Sequence, residues 1–180
     1  GVETPDEDSL TECGKYQNKN RDLLSCVKKI QRSGMEVQGG FIVGFDSDKP
    51  TIFERQIKFI QDSGIVTAMV GILGVFKGTK LYQRLEKEKR LLKESSGDNT
   101  DGSINFVPKM GQRVLTDGYK KIVSTIYSPR YHYQRIINFL KEYRPIVKKR
   151  SDFHFRYLFR YLWAFFQSLW LLGIREKMAG

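Results

Sequence analysis

The sequence predicts an α/β protein in which a partial parallel βα barrel is followed by an all-α C-terminal extension. Two apolar, β-branched runs that contain glycine, Met35–Phe45 and Val66–Phe76, have the composition of buried parallel strands. They alternate with helix-like stretches at the spacing of right-handed βα units. Because two strands cannot form a stable parallel sheet covered on both faces, we expect further strands upstream of Gly1.

Capping residues and apolar stripes define the predicted helices. A capping box of Ser9 and Glu12 opens the first helix, and Thr51 with Glu54 opens the second, which Gly64 ends. The segment 1–4 has the character of a strand's end. The predicted helices are 9–33, 51–63, 80–93, 116–127, 130–143 and 153–174.

A polar loop marks the main internal boundary. Residues 94–102 read ESSGDNTDG, a composition typical of a loop. We therefore predict three parts: the barrel segment 1–94, a helical extension 95–150 and an aromatic, basic tail helix 151–180.

Positive charge is concentrated in the later part of the chain. Residues 1–64 contain 9 Lys or Arg and 11 Asp or Glu, whereas residues 65–180 contain 22 and 9. Such a bias favours an anionic partner, which could be a nucleic acid, a lipid surface or a phosphorylated ligand. A solvated basic helix surface explains it equally well.

The tail is unusually aromatic. Its weakly polar run, Tyr161–Ile174, is shorter than the ~20 residues that span a bilayer. Arg156, Arg160, Arg175 and Lys177 flank that run, and its tryptophans suit a membrane interface. The alternative interpretation is a hydrophobic helix that docks on another part of the parent protein.

Three segments lie where a parallel βα architecture gathers its ligands, at the carboxyl ends of strands. They are 1–4 (GVET), 40–46 (GFIVGFD) and 71–79 (GILGVFKGT). Glycine at a strand's end lets a flat ring approach the backbone, and a neighbouring carboxylate can accept hydrogen bonds from a ribose diol. Close packing against a helix would also explain each glycine pair.

The series GVETP, GGFIVGFDSD and KGTKLY resembles the latter half of a radical S-adenosylmethionine barrel, in particular that of the cobalamin-binding members. The later stretch from NFVPKM to FLKEY resembles their C-terminal domain of unknown function. The resemblance covers roughly residues 1–145 and identifies the barrel segment as the second half of such a barrel. No motif of the family is evident after Lys149.

The resemblance implies a set of nucleoside-binding residues. Glu3 matches the acidic residue that binds the ribose hydroxyls at the end of the fourth strand. The fifth-strand pattern GxIxGxxE, which holds the adenine, is matched except that Ser47 replaces its final Glu. Lys77 likewise replaces the proline of a proline-glycine-threonine turn. The cofactor-binding residues so implied are Glu3, Gly40, Ile42, Gly44, Asp46, Leu73, Gly74 and Val75.

The same resemblance implies a parent enzyme that cleaves S-adenosylmethionine at a four-iron–four-sulfur cluster. Cobalamin is a further cofactor that it suggests, and methyl transfer or rearrangement is the chemistry. Cys13 and Cys26 do not form the family's CxxxCxxC motif. We therefore expect no metal site or catalytic residue here, no cofactor fully held, and no turnover by this fragment alone.

The expected partners follow from this interpretation. They are the missing N-terminal half of the same polypeptide and a small-molecule or lipid substrate. We expect a cytoplasmic location, with peripheral membrane contact through 151–180 as an option. A basic aromatic module that binds a membrane surface or a nucleic acid is the alternative function, although no motif for nucleic-acid binding is evident and we expect none.

Overall fold

The structure is a computed structural model, and it describes residues 1–93, 103–145 and 158–171. The chain divides into two compact units, Gly1–Pro145 and Ile146–Gly180. The first unit contains two strands and six α-helices within the described ranges, and the second contains one described helix.

The elements alternate as the sequence predicts. In chain order they are α1 (Glu7–Glu12), α2 (Leu23–Arg32), β1 (Gly39–Val43), α3 (Ile52–Ser63), β2 (Ala68–Ile72), α4 (Lys80–Lys87), α5 (Gln112–Ile126), α6 (Pro129–Glu142) and α7 (Leu158–Trp170). A short 3₁₀ helix, Tyr16–Asn18, lies between α1 and α2.

Strands β1 and β2 are parallel and pair from Gly39 opposite Ala68 to Val43 opposite Ile72. Glu3 forms an isolated parallel bridge on the other side of β1. Its N–H donates to the carbonyl of Gly40 at 2.9 Å, and its carbonyl accepts from the N–H of Ile42 at 2.7 Å. The prediction that residues 1–4 contain a strand's end is therefore confirmed.

The two faces of this sheet differ. Phe41, Val43 and Ile72 belong to the buried core, and the Phe41 ring meets Phe59 of α3 edge-on, with 6.0 Å between ring centroids. Since side chains alternate along a strand, the residues between them point the other way. We call that second side the open face; it carries Gly40, Ile42, Met69 and Gly71.

Helix α3 is the centre of the helical layer and packs against α2, α5 and α6. At the crossing with α5, Gly118 lies so close to the Phe53 ring that a β-carbon there would overlap the ring. At the end of α3, Gly64 has φ +67°, and a β-carbon there would be 2.8 Å from the Phe139 amide nitrogen of α6. At both helix contacts, only glycine lets the two chains come this close.

A buried arginine fastens α6 to the sheet side of the fold. Arg135 is fully buried and donates to the carbonyls of Val66 and Ile126 and to the side-chain oxygen of Gln61. Burial lowers the pKa of this guanidinium. Three acceptors, one each from α3, α5 and the loop before β2, explain why a cation is tolerated there.

Three local predictions were wrong. The single helix over 9–33 is two helices, because Gly14 and Asn20 take positive φ and Asp6 and Asp22 cap the separate starts. The Thr51 side chain makes no capping hydrogen bond. The third helix ends at Lys87, six residues early, ahead of Lys89 with its φ of +54°.

Other predictions from the sequence are not decided by the described residues. The partial parallel βα barrel and the three-part division at residues 94 and 150 remain predictions. The polar loop at 94–102 and residues 153–157 and 172–174 of the predicted tail helix lie outside the described residues. In the ranges that the structure describes, no helix is long and apolar enough to cross a bilayer.

Candidate functional site

A cavity of about 500 Å³ is lined by the four residues of the open face and by strand neighbours of the core side, among them Phe41 and Val70. Five of the eight implied site residues line it: Glu3, Gly40, Ile42, Leu73 and Gly74. Side chains of α5 form a wall of the same cavity, namely Tyr119, Val123 and Tyr127. We call this space the open cavity.

The floor of the open cavity has little side-chain bulk. A β-carbon at Gly40 would meet nothing within 4 Å, so the space above this residue is free within the fold. Gly71 lies beside Ile42 in the register, which leaves a second position on the floor without a side chain. A flat ring can therefore approach the strand backbone at this point.

Glu3 is the acidic residue in the lining of the open cavity. Both of its backbone groups are tied to β1, and its φ of +65° is uncommon for a residue with a side chain. Lys15 forms an ion pair with its Oε1 at 3.0 Å. The backbone thus holds Glu3 in place beside β1, and Lys15 pairs with its carboxylate.

The chain beyond β2 is fixed by a side chain that the sequence interpretation did not single out. Asn105, which is buried, accepts from the N–H of Val75 at 3.1 Å and donates to the carbonyl of the same residue at 2.7 Å. The N–H of Leu73 donates to the carbonyl of Val43 at 2.8 Å. Leu73 and Gly74, which line the cavity, are thereby held between two anchored positions.

Three implied site residues do not line the open cavity. Val75 is buried in the core, and Gly44 has φ +107° and directs its N–H to Asp48 at 2.8 Å. Asp46 accepts two hydrogen bonds from Arg90, at 2.6 and 2.7 Å, and one from Arg84 at 3.2 Å. The structure therefore places Asp46 in an ion-pair cluster instead.

This Asp46 cluster consists of Asp46, Arg84, Arg90, Lys109 and Glu12. The Asp46 side chain is only 7% exposed. Hydrogen bonding from Arg90 lowers the pKa of Asp46 against the opposing effect of burial, and the same bond raises the pKa of Arg90. The cluster joins α1, the loop after β1, α4 and the segment near residue 109.

Glu12 reaches the same loop from α1. It accepts from the backbone N–H groups of Asp46 and Ser47, at 3.2 and 3.0 Å, and from Arg84 at 2.8 Å. Burial acts to raise the pKa of Glu12, but the bonds from Arg84 and Ser47 outweigh it and the pKa is lowered. The predicted capping role of Glu12 is replaced by this long-range one.

Asp48 stabilises the turn at the end of β1. It accepts from Ser9 Oγ at 2.6 Å and from the N–H groups of Gly44 and Phe45 at 2.8 and 3.1 Å. Burial raises the pKa of Asp48 in spite of these bonds. These contacts hold the end of β1 to the start of α1.

A second cavity, of about 530 Å³, lies next to the carboxyl ends of the strands. It is lined by Thr11, Glu12, Cys13, Gly14, Tyr16, Phe45, Leu73, Lys80, Leu81 and Arg84. Leu73 is common to both cavities. Partial burial raises the pKa of the Cys13 thiol, which makes it a packed thiol and a poor nucleophile.

The described residues provide no metal site. No group of three or more His, Cys, Asp or Glu side chains in 1–93, 103–145 and 158–171 is placed to hold a metal ion. Cys13 and Cys26 are both free thiols. An iron–sulfur cluster therefore has no ligand set in the described part of the chain, whereas the glycine floor of the open cavity leaves room for a flat ring.

Comparison with known proteins identifies the family. Residues 79–179 match the family described as a domain of unknown function, DUF4070. The match continues through the aromatic tail, where the sequence interpretation had recognised no motif.

Three relatives extend the similarity into the barrel segment. An uncharacterised methyltransferase of Synechocystis is 35% identical over 136 residues, which cover 75% of this chain and 25% of that protein. The hopanoid C-2 methylase of Rhodopseudomonas palustris is 30% identical over 157 residues, or 84% and 29%. The bacteriochlorophyllide d C-12(1)-methyltransferase of Chlorobaculum tepidum is 25% identical over 128 residues, or 71% and 28%.

All three relatives are named as methyltransferases or methylases, and the part of this chain that aligns with them includes its parallel α/β segment. More specifically, the chain belongs to the cobalamin-binding radical S-adenosylmethionine family and is the C-terminal part of such a protein, with its domain of unknown function. The aligned residues span between a quarter and three tenths of the length of these relatives.

Proposed function

We propose that this chain is the C-terminal part of a cytoplasmic radical S-adenosylmethionine methyltransferase that uses cobalamin, and that its open cavity receives the nucleoside of S-adenosylmethionine. The single observation that carries the proposal is that Glu3, Gly40 and Gly74, from three separate segments, line one cavity. Family membership supplies the cofactor, and the cavity supplies a place for its adenosine.

Each lining group has a distinct task in this proposal. The backbone at Gly40 faces the flat adenine, Ile42 and Leu73 supply apolar contact, and the Glu3 carboxylate accepts hydrogen bonds from the ribose hydroxyls. Lys15, which now pairs with Glu3 at 3.0 Å, would share that carboxylate with the ribose. Tyr119 and Tyr127 close the side next to β2 and keep water from the ring.

The second cavity is the proposed wall of the substrate site. It adjoins the open cavity through Leu73, and its lining combines apolar Phe45 and Leu81 with polar Glu12 and Arg84. S-adenosylmethionine bound at the parent's cluster would supply the radical chemistry, and in this chain Glu3, Gly40 and Leu73 would hold its nucleoside. The chain's own contribution is to orient the nucleoside and to hold the strand ends through Asn105 and the Asp46 cluster.

The names of two relatives bear on the substrate. One methylates a hopanoid and the other a bacteriochlorophyllide, according to their names. We propose that the parent of this chain likewise transfers a methyl group to carbon of a small-molecule substrate. The cluster ligands and the cobalamin site would come from the part of the parent that precedes this chain, which is why we expect the 180-residue chain alone to be inactive.

The experiment measures S-adenosylmethionine affinity in the reconstituted full-length parent by anaerobic equilibrium dialysis. Gly40→Val should weaken binding at least ~10-fold, which corresponds to about 1.4 kcal/mol, because its side chain fills the space of the adenine. Glu3→Gln should weaken binding through the ribose, and the exposed Glu36→Gln is the matched control. Unchanged affinity in both site variants would refute the proposed site.

A further inference from the structure

Helix α7 is amphipathic in a way that points to a lipid surface. At ~100° per residue, Arg160, Ala164, Gln167 and Ser168 fall on one narrow stripe. The remaining described side chains form a wide apolar face that is exposed. Its members are Phe159, Tyr161, Leu162, Trp163, Phe165, Phe166, Leu169 and Trp170.

The aromatic residues are sorted around that face. Trp163 and Trp170 are seven positions apart and lie along one border of the polar stripe, and Tyr161 lies along the other border. They are 68%, 55% and 70% exposed, respectively. Indole and phenol rings prefer the boundary between water and hydrocarbon, so this arrangement matches a helix that lies in the plane of a membrane.

Charge complementarity selects the kind of surface. Residues 146–180 contain seven Lys or Arg and two Asp or Glu, and no acidic residue occurs from Phe153 to Arg175. Basic residues near an interfacial helix add attraction to anionic headgroups. The hydroxyl of Ser168 donates to the carbonyl of Phe165 at 2.8 Å, which reduces the polarity of the stripe itself.

We propose that α7 binds the surface of an anionic lipid bilayer, with Phe166, Leu162 and Leu169 directed into the hydrocarbon and the stripe of Arg160 directed to the headgroups. The helix lies on the bilayer and does not cross it. This contact is independent of the nucleoside site in the first unit, so either proposal can fail without the other.

Both tryptophans of the chain, Trp163 and Trp170, are in α7. Intrinsic tryptophan fluorescence of the 180-residue chain therefore reports on this helix alone. Vesicles of equimolar phosphatidylglycerol and phosphatidylcholine should shift the emission to the blue, and vesicles of pure phosphatidylcholine should shift it much less. Added salt should reduce the effect.

A pair of matched variants tests the orientation. Leu162→Glu with Phe166→Glu should lower the partition coefficient on the anionic vesicles at least ~10-fold, equivalent to about 1.4 kcal/mol. Gln167→Glu adds a negative charge on the polar stripe and should retain most of the binding. Cosedimentation of the full-length parent, with and without the double substitution, repeats the comparison in the intact protein.

Four results would overturn the proposal. Emission that is already blue without vesicles and shifts on dilution would assign α7 to a second copy of the chain. If the double substitution does not change the vesicle binding of the full-length parent, α7 packs against another part of that protein and not against the lipid. Equal binding to neutral and anionic vesicles would show that headgroup charge does not select the surface. Fluorescence quenching by a single-stranded oligonucleotide, without an emission shift on vesicles, would favour nucleic acid as the partner.

Discussion

The two faces of the small parallel sheet differ in how far their side chains are buried. On the core side, Phe41 is 2% exposed and packs against Phe59 of α3. On the open face, Met69 is 65% exposed and Gly40 has free space above it. The same two strands therefore supply stability from one side and an accessible floor from the other, so substitutions on the two faces should have separable effects.

The largest expected effect is on the core side. Phe41→Ala should lower the free energy of unfolding by about 3–5 kcal/mol, because a large buried ring is replaced by a cavity. Met69→Ala on the open face is the control and should change it by less than about 0.5 kcal/mol. Urea denaturation of the two variants measures both values. Similar losses in the two variants would mean that the faces are not different.

A pair of glycine substitutions sharpens the same comparison. Gly118→Ala should destabilise by about 1–3 kcal/mol through overlap with Phe53, even though alanine favours a helix by about 1 kcal/mol. Gly40→Ala should leave stability nearly unchanged, because nothing lies within 4 Å of the added carbon. Thermal unfolding of both variants gives the comparison. A destabilised Gly40→Ala would show that the floor is not free.

The Asp46 cluster should give a smaller, pH-dependent effect. Asp46→Asn should cost about 2 kcal/mol near neutral pH by weakening charge-assisted bonds to Arg90. Hydrogen bonding from Arg90 lowers the pKa of Asp46 below its ordinary 3.8. The contribution is therefore present above pH 3.8 and is lost as the pH falls through the lowered pKa.

Unfolding midpoints of wild type and Asp46→Asn, measured against pH, should converge in acid. Asp48 acts in the opposite direction, because its raised pKa makes ionisation costly as the pH rises through its ordinary value, but it is common to both proteins. Asp62→Asn, which breaks an exposed pair with Lys58, is the control and should cost at most about 0.5 kcal/mol. A constant gap at all pH values would contradict the assigned role.

The order of strands and helices could be predicted from the sequence because it depends on local patterns. The apolar runs contain β1 and β2, and Gly64 ends α3 at the predicted position. The helix over 9–33 was wrong for a physical reason: Ser9 and Glu12, which matched a local capping box, bind Asp48, Ser47 and Arg84 instead. Such partners are 35–72 positions away and leave no local pattern.

The candidate site shows the same limit. Glu3, Gly40 and Gly74 could be named because the family motifs place them on neighbouring strands, and they line one cavity, although Gly40 is the second residue of β1 and not at its carboxyl end. Asp46 belonged to the same motif, yet Arg90 and Lys109 bind it at the cluster. The pair of hydrogen bonds between Asn105 and Val75 was missed although the segment NFVPKM was part of the resemblance, because Val75 lies 30 residues before Asn105.

The most direct test of the central claim is a structure of the full-length parent with S-adenosylmethionine bound. We expect the adenine in van der Waals contact with the backbone of Gly40 and the ribose hydroxyls within hydrogen-bonding distance of the Glu3 carboxylate. A nucleoside located in the second cavity, between Glu12 and Arg84, with the open cavity left to solvent, would contradict the account.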